Sequence, residues 1–157
     1  MQVTVRNRRH HAPDLAAIKR LALMKRPVTA YLSTLVAFLL LDGLWLGVLM
    51  GPTYRQWLGP LMLEQPVIVP ALMFYLIYIV GIVVFGVLPG LSQGSVGHAA
   101  SYSALLGLMA YGTYDLTNWA TLQGWPSQLA LVDWAWGTFA SAVAGAVGFL
   151  VTRRVLR

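Results

Sequence analysis

Cysteine is absent from this sequence and charge is scarce, since 11 Lys and Arg with 5 Asp and Glu make up only 10% of its 157 residues. A soluble domain carries about a quarter. Without a thiol there is no disulfide exchange, no cysteine-held iron–sulfur cluster and no cysteine nucleophile. The lysines, Lys19 and Lys25, precede the first long apolar run, so no Schiff base can form inside a bundle. His10, His11 and His98 fall outside or at the edge of the apolar runs, which removes paired haem ligands and a histidine-rich metal site. Neither metal nor cofactor is expected. Carboxylate, hydroxyl, amide and aromatic chemistry remain.

Apolar residues are abundant, at 58% of the chain. So few charges cannot coat a soluble fold, whereas bilayer hydrocarbon can replace the missing polar surface. The expected class is an all-α membrane protein. Four runs, at about residues 28–49, 66–88, 99–122 and 128–151, can each cross a core of roughly 30 Å at 1.5 Å per helical residue. Arg6, Arg8, Arg9, Lys19, Arg20, Lys25 and Arg26 precede the first run, and Arg153, Arg154 and Arg157 follow the last. The positive-inside rule then places both termini in the cytoplasm, which four spans satisfy. The net charge of +6 sits beside membrane ends, so membrane lipids are the expected partners and nucleic acid is not.

Residues 1–26 read as a basic extension and 27–157 as the transmembrane domain. Within the extension, Asp14 can cap a short amphipathic helix with Leu15, Ile18 and Ala22 on the face opposite Lys19 and Arg20, lying on the inner surface. The apolar run after Arg26 is about twice the length of a signal-peptide core and lacks a clear cleavage site, which favours a retained anchor. Met24-Lys25-Arg26 would itself make an ordinary membrane-protein start, so residues 1–23 read as separable from the rest.

Three of the five acids fall inside the runs: Asp42 in the first, Asp115 in the third and Asp133 in the fourth. A charge at mid-bilayer costs about 2.5–3.5 kcal/mol on insertion scales, so an acid there marks a functional site by default. In the four-span topology all three lie in the outer half at similar height, and all six tryptophans map to the outer half or the outer loops. Spacing couples the sets, with Trp45 three residues from Asp42, Trp119 four from Asp115 and Trp136 three from Asp133. The result expected is an outward acid-and-indole cup centred on Asp115. In the alternative, the indoles anchor the outer interface and the acids hydrogen-bond neighbouring helices.

The third run adds Tyr111, Thr113, Tyr114, Thr117, Asn118 and Thr121, which point all around the helix. Such a stretch is expected to be central, to line water or to be covered by a second copy in a homodimer. Tyr111, Asp115 and Asn118 share one stripe, suited to holding a proton, an alcohol or a cation. No span contains a lysine or arginine, so clustered carboxylates would share protons rather than ionise separately. Arg55 is the one basic residue able to reach them from the outer side, its alternative being a solvated charge near Trp57; Glu64 reads as interfacial. Gly43, Gly47 and Gly51, and Gly137, Ser141 and Gly145, form small-residue stripes that let helices approach closely. The stretch from Pro89 to His98 reads as a flexible inner turn, with a His98–Ser101 dyad a weak second reading.

The runs Leu41-Asp-Gly-Leu-Trp-Leu-Gly47, Tyr75-Leu-Ile-Tyr-Ile-Val-Gly-Ile-Val-Val-Phe85, Ala110-Tyr-Gly-Thr-Tyr-Asp-Leu-Thr-Asn-Trp-Ala120 and Leu131-Val-Asp-Trp-Ala-Trp-Gly137 resemble the bacterial four-span membrane family catalogued as domain of unknown function 2177. The resemblance covers about residue 24 to the end and implies a multi-pass protein of the bacterial inner membrane. It brings no activity and no residue roles. From the residues, the leading expectation is binding or transport of a proton, a cation or a cationic headgroup. The alternatives are a membrane-embedded enzyme acting on a lipid, with an Asp as general base, and a non-catalytic partner subunit.

Overall fold

The computed structural model describes the backbone of residues 15–157 and the side chains of residues 24–157. Asp14 and the residues before it lie outside the described residues, as do the side chains of Leu15, Ile18, Lys19, Arg20 and Ala22. Among the described residues there is no strand.

Helix α1 (Leu15–Leu44) runs unbroken through Pro27 and ends in a wide π-helical turn, Trp45–Leu49, where the Met50 N–H donates to the Trp45 carbonyl. The separate interfacial helix expected before the first span is therefore continuous with it. Proline removes one backbone donor, and transmembrane helices tolerate that loss where neighbouring elements take up the freed groups. Pro52 then starts the short helix α2 (Gly51–Leu58). Gly59, at φ +49°, ends α2 in a left-handed conformation that favours glycine.

Helix α3 (Ile68–Ile82) passes through a second π turn, Val83–Val87, into α4 (Leu88–Gln93). Pro89 has no N–H to return to the Phe85 carbonyl, which loosens the ladder where the wide turn forms. The flexible turn expected from Pro89 to His98 is thus mostly helical. Gly90 packs on Ala99, and Gly94, at φ +67°, makes the reversal. Ser95 caps α5 (Val96–Thr121) by accepting the His98 N–H at 3.1 Å. The Ser101 hydroxyl donates to the His98 carbonyl and leaves the ring alone, which removes the dyad. A turn through Gly124 leads into α6 (Ser127–Val155).

Successive long segments pack antiparallel around a core that includes Phe38, Ile79, Ile82, Val87, Ala99, Ala140, Ala144 and Phe149. The α6 stripe of small residues is a contact face, as its spacing predicts. The Tyr111 ring lies on Gly137, Ser141 hydrogen-bonds Tyr78 at 2.6 Å, Ser103 lies on Gly145 and Thr34 on Gly148. The α1 stripe behaves differently, because Gly43 and Gly47 are exposed and nothing lies within 4 Å of where a Cβ would stand. Spacing identifies a smooth face and not the neighbour that uses it.

The outside is apolar, with Leu40, Ile68, Ile77, Met109 and Phe139 all exposed. Among the described residues, Met24–Leu49, Ile68–Gln93 and Ser127–Val155 are long and apolar enough to cross a membrane. Helix α5 has the length, 26 residues or about 39 Å at 1.5 Å each, without the same apolarity. Nor is α5 central. Thr113, Thr117 and Thr121 are exposed, and each hydroxyl donates to the carbonyl four residues earlier. Satisfied in this way, these hydroxyls can face lipid.

Candidate functional site

Asp42 and Asp133 stand at the end of the bundle that carries the tryptophans. Asp42, on α1, is 5% exposed. Its Oδ2 accepts the Tyr75 hydroxyl at 2.6 Å and its Oδ1 accepts the Trp136 indole N–H at 3.2 Å. Asp133, on α6, accepts the Tyr54 hydroxyl at 2.6 Å, and that same oxygen of Tyr54 accepts the Trp45 indole N–H at 3.1 Å. Trp45 and Trp136 stack at 4.2 Å with their planes 4° apart. Each tryptophan thus serves the acid of the other helix, through Tyr54 in one case, and not the acid a turn away on its own.

Local sequence explains the placement of Tyr54. The π turn and Pro52 fold α2 back over the end of the bundle, so that Tyr54 is buried while Arg55 beside it is exposed. Burial, and after it the charge of Asp133, raise the Tyr54 phenol above its ordinary value, with a smaller contribution from Asp115. Tyr54 therefore stays protonated and keeps donating.

The two carboxylates share one cavity of about 480 Å³. Its wall comprises Asp42, Asp133, Tyr54, Phe74, Tyr75, Tyr111 and Tyr114, with Leu46, Ala71 and Ala110 between them. Among the described residues, none that is basic lines it. Four tyrosines and a phenylalanine offer ring faces or edges to the same space as two carboxylates, which suits a positively charged guest with apolar substituents.

Of the residues singled out from the sequence, Asp42, Asp133, Tyr111 and Tyr114 line the cavity, and Trp45 and Trp136 support it from behind through their hydrogen bonds. Asp115, expected at the centre, lies outside the wall. It is fully buried, and neither of its oxygens has a hydrogen-bond partner among the described residues. Asn118 is half-buried outside the wall, and Trp119 is 45% exposed. Arg55 is also outside, an exposed charge two residues before Trp57. Glu64 is exposed.

Tyr54, Phe74 and Tyr75 were not legible as site residues. Tyr75 and Tyr78 stand three apart in the most apolar run, a hint that one face of that helix meets polar groups, but nothing in the spacing names Asp42 as the partner. Trp134 likewise has an unanticipated role, donating to the Leu108 carbonyl at 2.7 Å across Gly112 and so clamping α5 to α6. Among the described residues, no group of three or more His, Asp or Glu is placed to hold a metal ion.

Apolar helices of membrane-crossing length, packed through small residues and joined at one end by an acid–aromatic network, define a multi-helix membrane protein. A family model for a predicted membrane protein, DUF2177, matches residues 27–150, and the chain belongs to that family. No curated protein and no solved structure matches it.

Proposed function

We propose that the protein binds an organic cation, a small ammonium ion or a cationic headgroup, in the cavity between Asp42 and Asp133. The observation that carries this reading is two carboxylates from separate helices facing one aromatic-walled cavity of about 480 Å³ that, among the described residues, no basic side chain lines. Charge attraction draws the guest, the rings hold its apolar substituents through cation–π contact, and the low-dielectric surroundings strengthen both. Asp42 and Asp133 make the contact, Tyr111 and Tyr114 supply ring faces, and Trp45 and Trp136 fix the carboxylates. Asp115 stands behind this wall, with Asn118 and Trp119 next to it along α5, and Arg55 stays in solvent.

In this reading α5 is the third of four spans, both termini are cytoplasmic and the cavity faces outward across the bacterial inner membrane. The concentration of basic residues at the other end supports that orientation.

The test is a titration of the detergent-purified protein with tetraethylammonium, followed by the fluorescence of the tryptophans around the cavity. Saturable quenching in the wild type, weakened at least about tenfold in both Asp42→Asn and Asp133→Asn, is the expected result; about tenfold is 1.4 kcal/mol of lost attraction. Equal affinity in the wild type and both variants would overturn the reading. Single cysteines at Ala71 and Ala110 in this cysteine-free chain give the sidedness. Labelling by an impermeant thiol reagent from outside supports an outward cavity, and labelling only from inside reverses the topology.

A further inference from the structure

At the opposite end from the acid–aromatic cavity lies a second cavity of about 510 Å³, walled by Lys25 and Arg26 of α1, Leu91 of α4, and Thr152, Arg153 and Arg157 at the end of α6. Positive charge at a helix C-terminus has an ordinary use in offsetting the negative end of the dipole, and Arg154 is placed for that as well as Arg153. Such a role needs no cavity. Here four basic residues from two helices converge on one, and Asp42, the next acid along α1, lies about 24 Å beyond Arg26 at 1.5 Å per residue.

A second observation is independent of the charge. Thr152 is 1% exposed, forms part of this wall, and its hydroxyl has no hydrogen-bond partner among the described residues. Thr113, Thr117, Thr121 and Thr138 all return their hydroxyls to a carbonyl of the preceding turn. Thr152 does not, and no described residue takes its hydroxyl, which leaves that donor for a ligand in the cavity. Arg153 is held in place by the Phe149 ring, 5.8 Å beneath its guanidinium.

Shape indicates the rest of the ligand. Beginning at Thr29, one turn beyond Arg26, an apolar groove of about 680 Å³ runs between α1 and α6 as far as Leu41. That is about 18 Å along the helix, and Val151 beside Thr152 closes its near end. We infer that the protein holds an anionic phospholipid, its phosphate received by Lys25, Arg26, Arg153, Arg157 and the Thr152 hydroxyl and an acyl chain laid in the groove between α1 and α6. Basic cavities between membrane helices bind such headgroups, and guanidinium–phosphate hydrogen bonds are among the stronger ones available.

The experiment places the full chain in phosphatidylcholine nanodiscs and measures retention of fluorescent phosphatidylglycerol, with fluorescent phosphatidylcholine as reference. Arg154 adjoins Arg153 but lies outside the wall, so Arg154→Gln removes the same charge without touching the site. Arg153→Gln is expected to weaken retention at least about tenfold and Arg154→Gln less than about threefold. Thr152→Val, which leaves the charge and the volume unchanged, is expected to weaken it by about threefold or more. Equal losses in the two arginine variants, an unchanged Thr152→Val, or equal retention of the two lipids would overturn the assignment. So would displacement of the lipid by inorganic phosphate at matched concentration, which would make a soluble phosphate compound the occupant. Thermal unfolding in phosphatidylcholine alone separates loss of the site from loss of the fold, because the inference requires the variants to match the wild type there.

Discussion

Trp45 and Trp136, one from the first long helix and one from the last, lie face to face at 4.2 Å with their planes 4° apart. The stack joins two hydrogen-bonded chains, Tyr75–Asp42–Trp136 and Trp45–Tyr54–Asp133, into one assembly. A double-mutant cycle with Trp45→Leu and Trp136→Leu is expected to give a coupling of about 0.5–1.5 kcal/mol, the range for paired aromatic rings. The measurement is reversible unfolding in mixed micelles. Strictly additive effects would mean that the rings touch without supporting each other.

Tyr75→Phe leaves Asp42 with only the Trp136 N–H. Loss of a hydrogen bond to a charged acceptor is expected to lower stability by about 1.5–3 kcal/mol. Tyr78→Phe removes a hydroxyl whose partner, Ser141, is neutral, and is expected to cost about 1 kcal/mol. The same unfolding assay ranks the two, and a larger loss at Tyr78 would contradict the assigned network.

These partners mark the limit of what periodicity conveys. Three apolar helices of membrane-crossing length, the gathering of tryptophans at one end and the approach of Asp42 to Asp133 were legible, because helical spacing and alternating direction fix depth and face. Depth and face do not decide which atoms meet. Trp45 and Asp42 are a turn apart, yet the indole turns to Tyr54, because α2 folds back over the end and brings a phenol there. The threonines of α5 looked unable to face lipid, since composition does not show that a hydroxyl can be satisfied by its own helix. Asp115 looked central because it sits at the middle of the most polar stretch, yet the residues of α5 that line the cavity are Ala110, Tyr111 and Tyr114, in the turn before it.

The glycines separate by neighbour. At Gly137 and Gly145 an added methyl overlaps the Tyr111 ring and the Ser103 hydroxyl respectively, and alanine there is expected to cost about 1–3 kcal/mol through overpacking. Alanine at Gly43 or Gly47 meets nothing within 4 Å and is expected to leave stability unchanged or raise it by up to about 1 kcal/mol through helix propensity. Unfolding midpoints of the four single variants check this, and a large loss at Gly43 would reveal a packing partner on that face.

Tyr54 makes stability depend on pH at the alkaline end. Its phenol is raised in the folded protein, chiefly by burial, so the stabilisation is fully present below the ordinary phenol value of about 10 and is lost as pH rises from there toward the folded value. Tyr54→Phe removes this contribution. Unfolding measured from neutral pH upward is expected to show a shallower decline in the variant than in the wild type, and parallel declines would exclude Tyr54 as a source.

The exchange of partners between the two ends of the chain also bears on how such sequences change. Asp42 depends on Trp136, 94 positions away, more directly than on Trp45, and Asp133 depends on Tyr54, 79 positions away, more directly than on Trp136. A substitution at one member of either pair strands a buried polar atom until the distant member changes too. Positions 42 and 136, and positions 54 and 133, are therefore expected to co-vary among related chains, while neighbours a single turn apart drift independently.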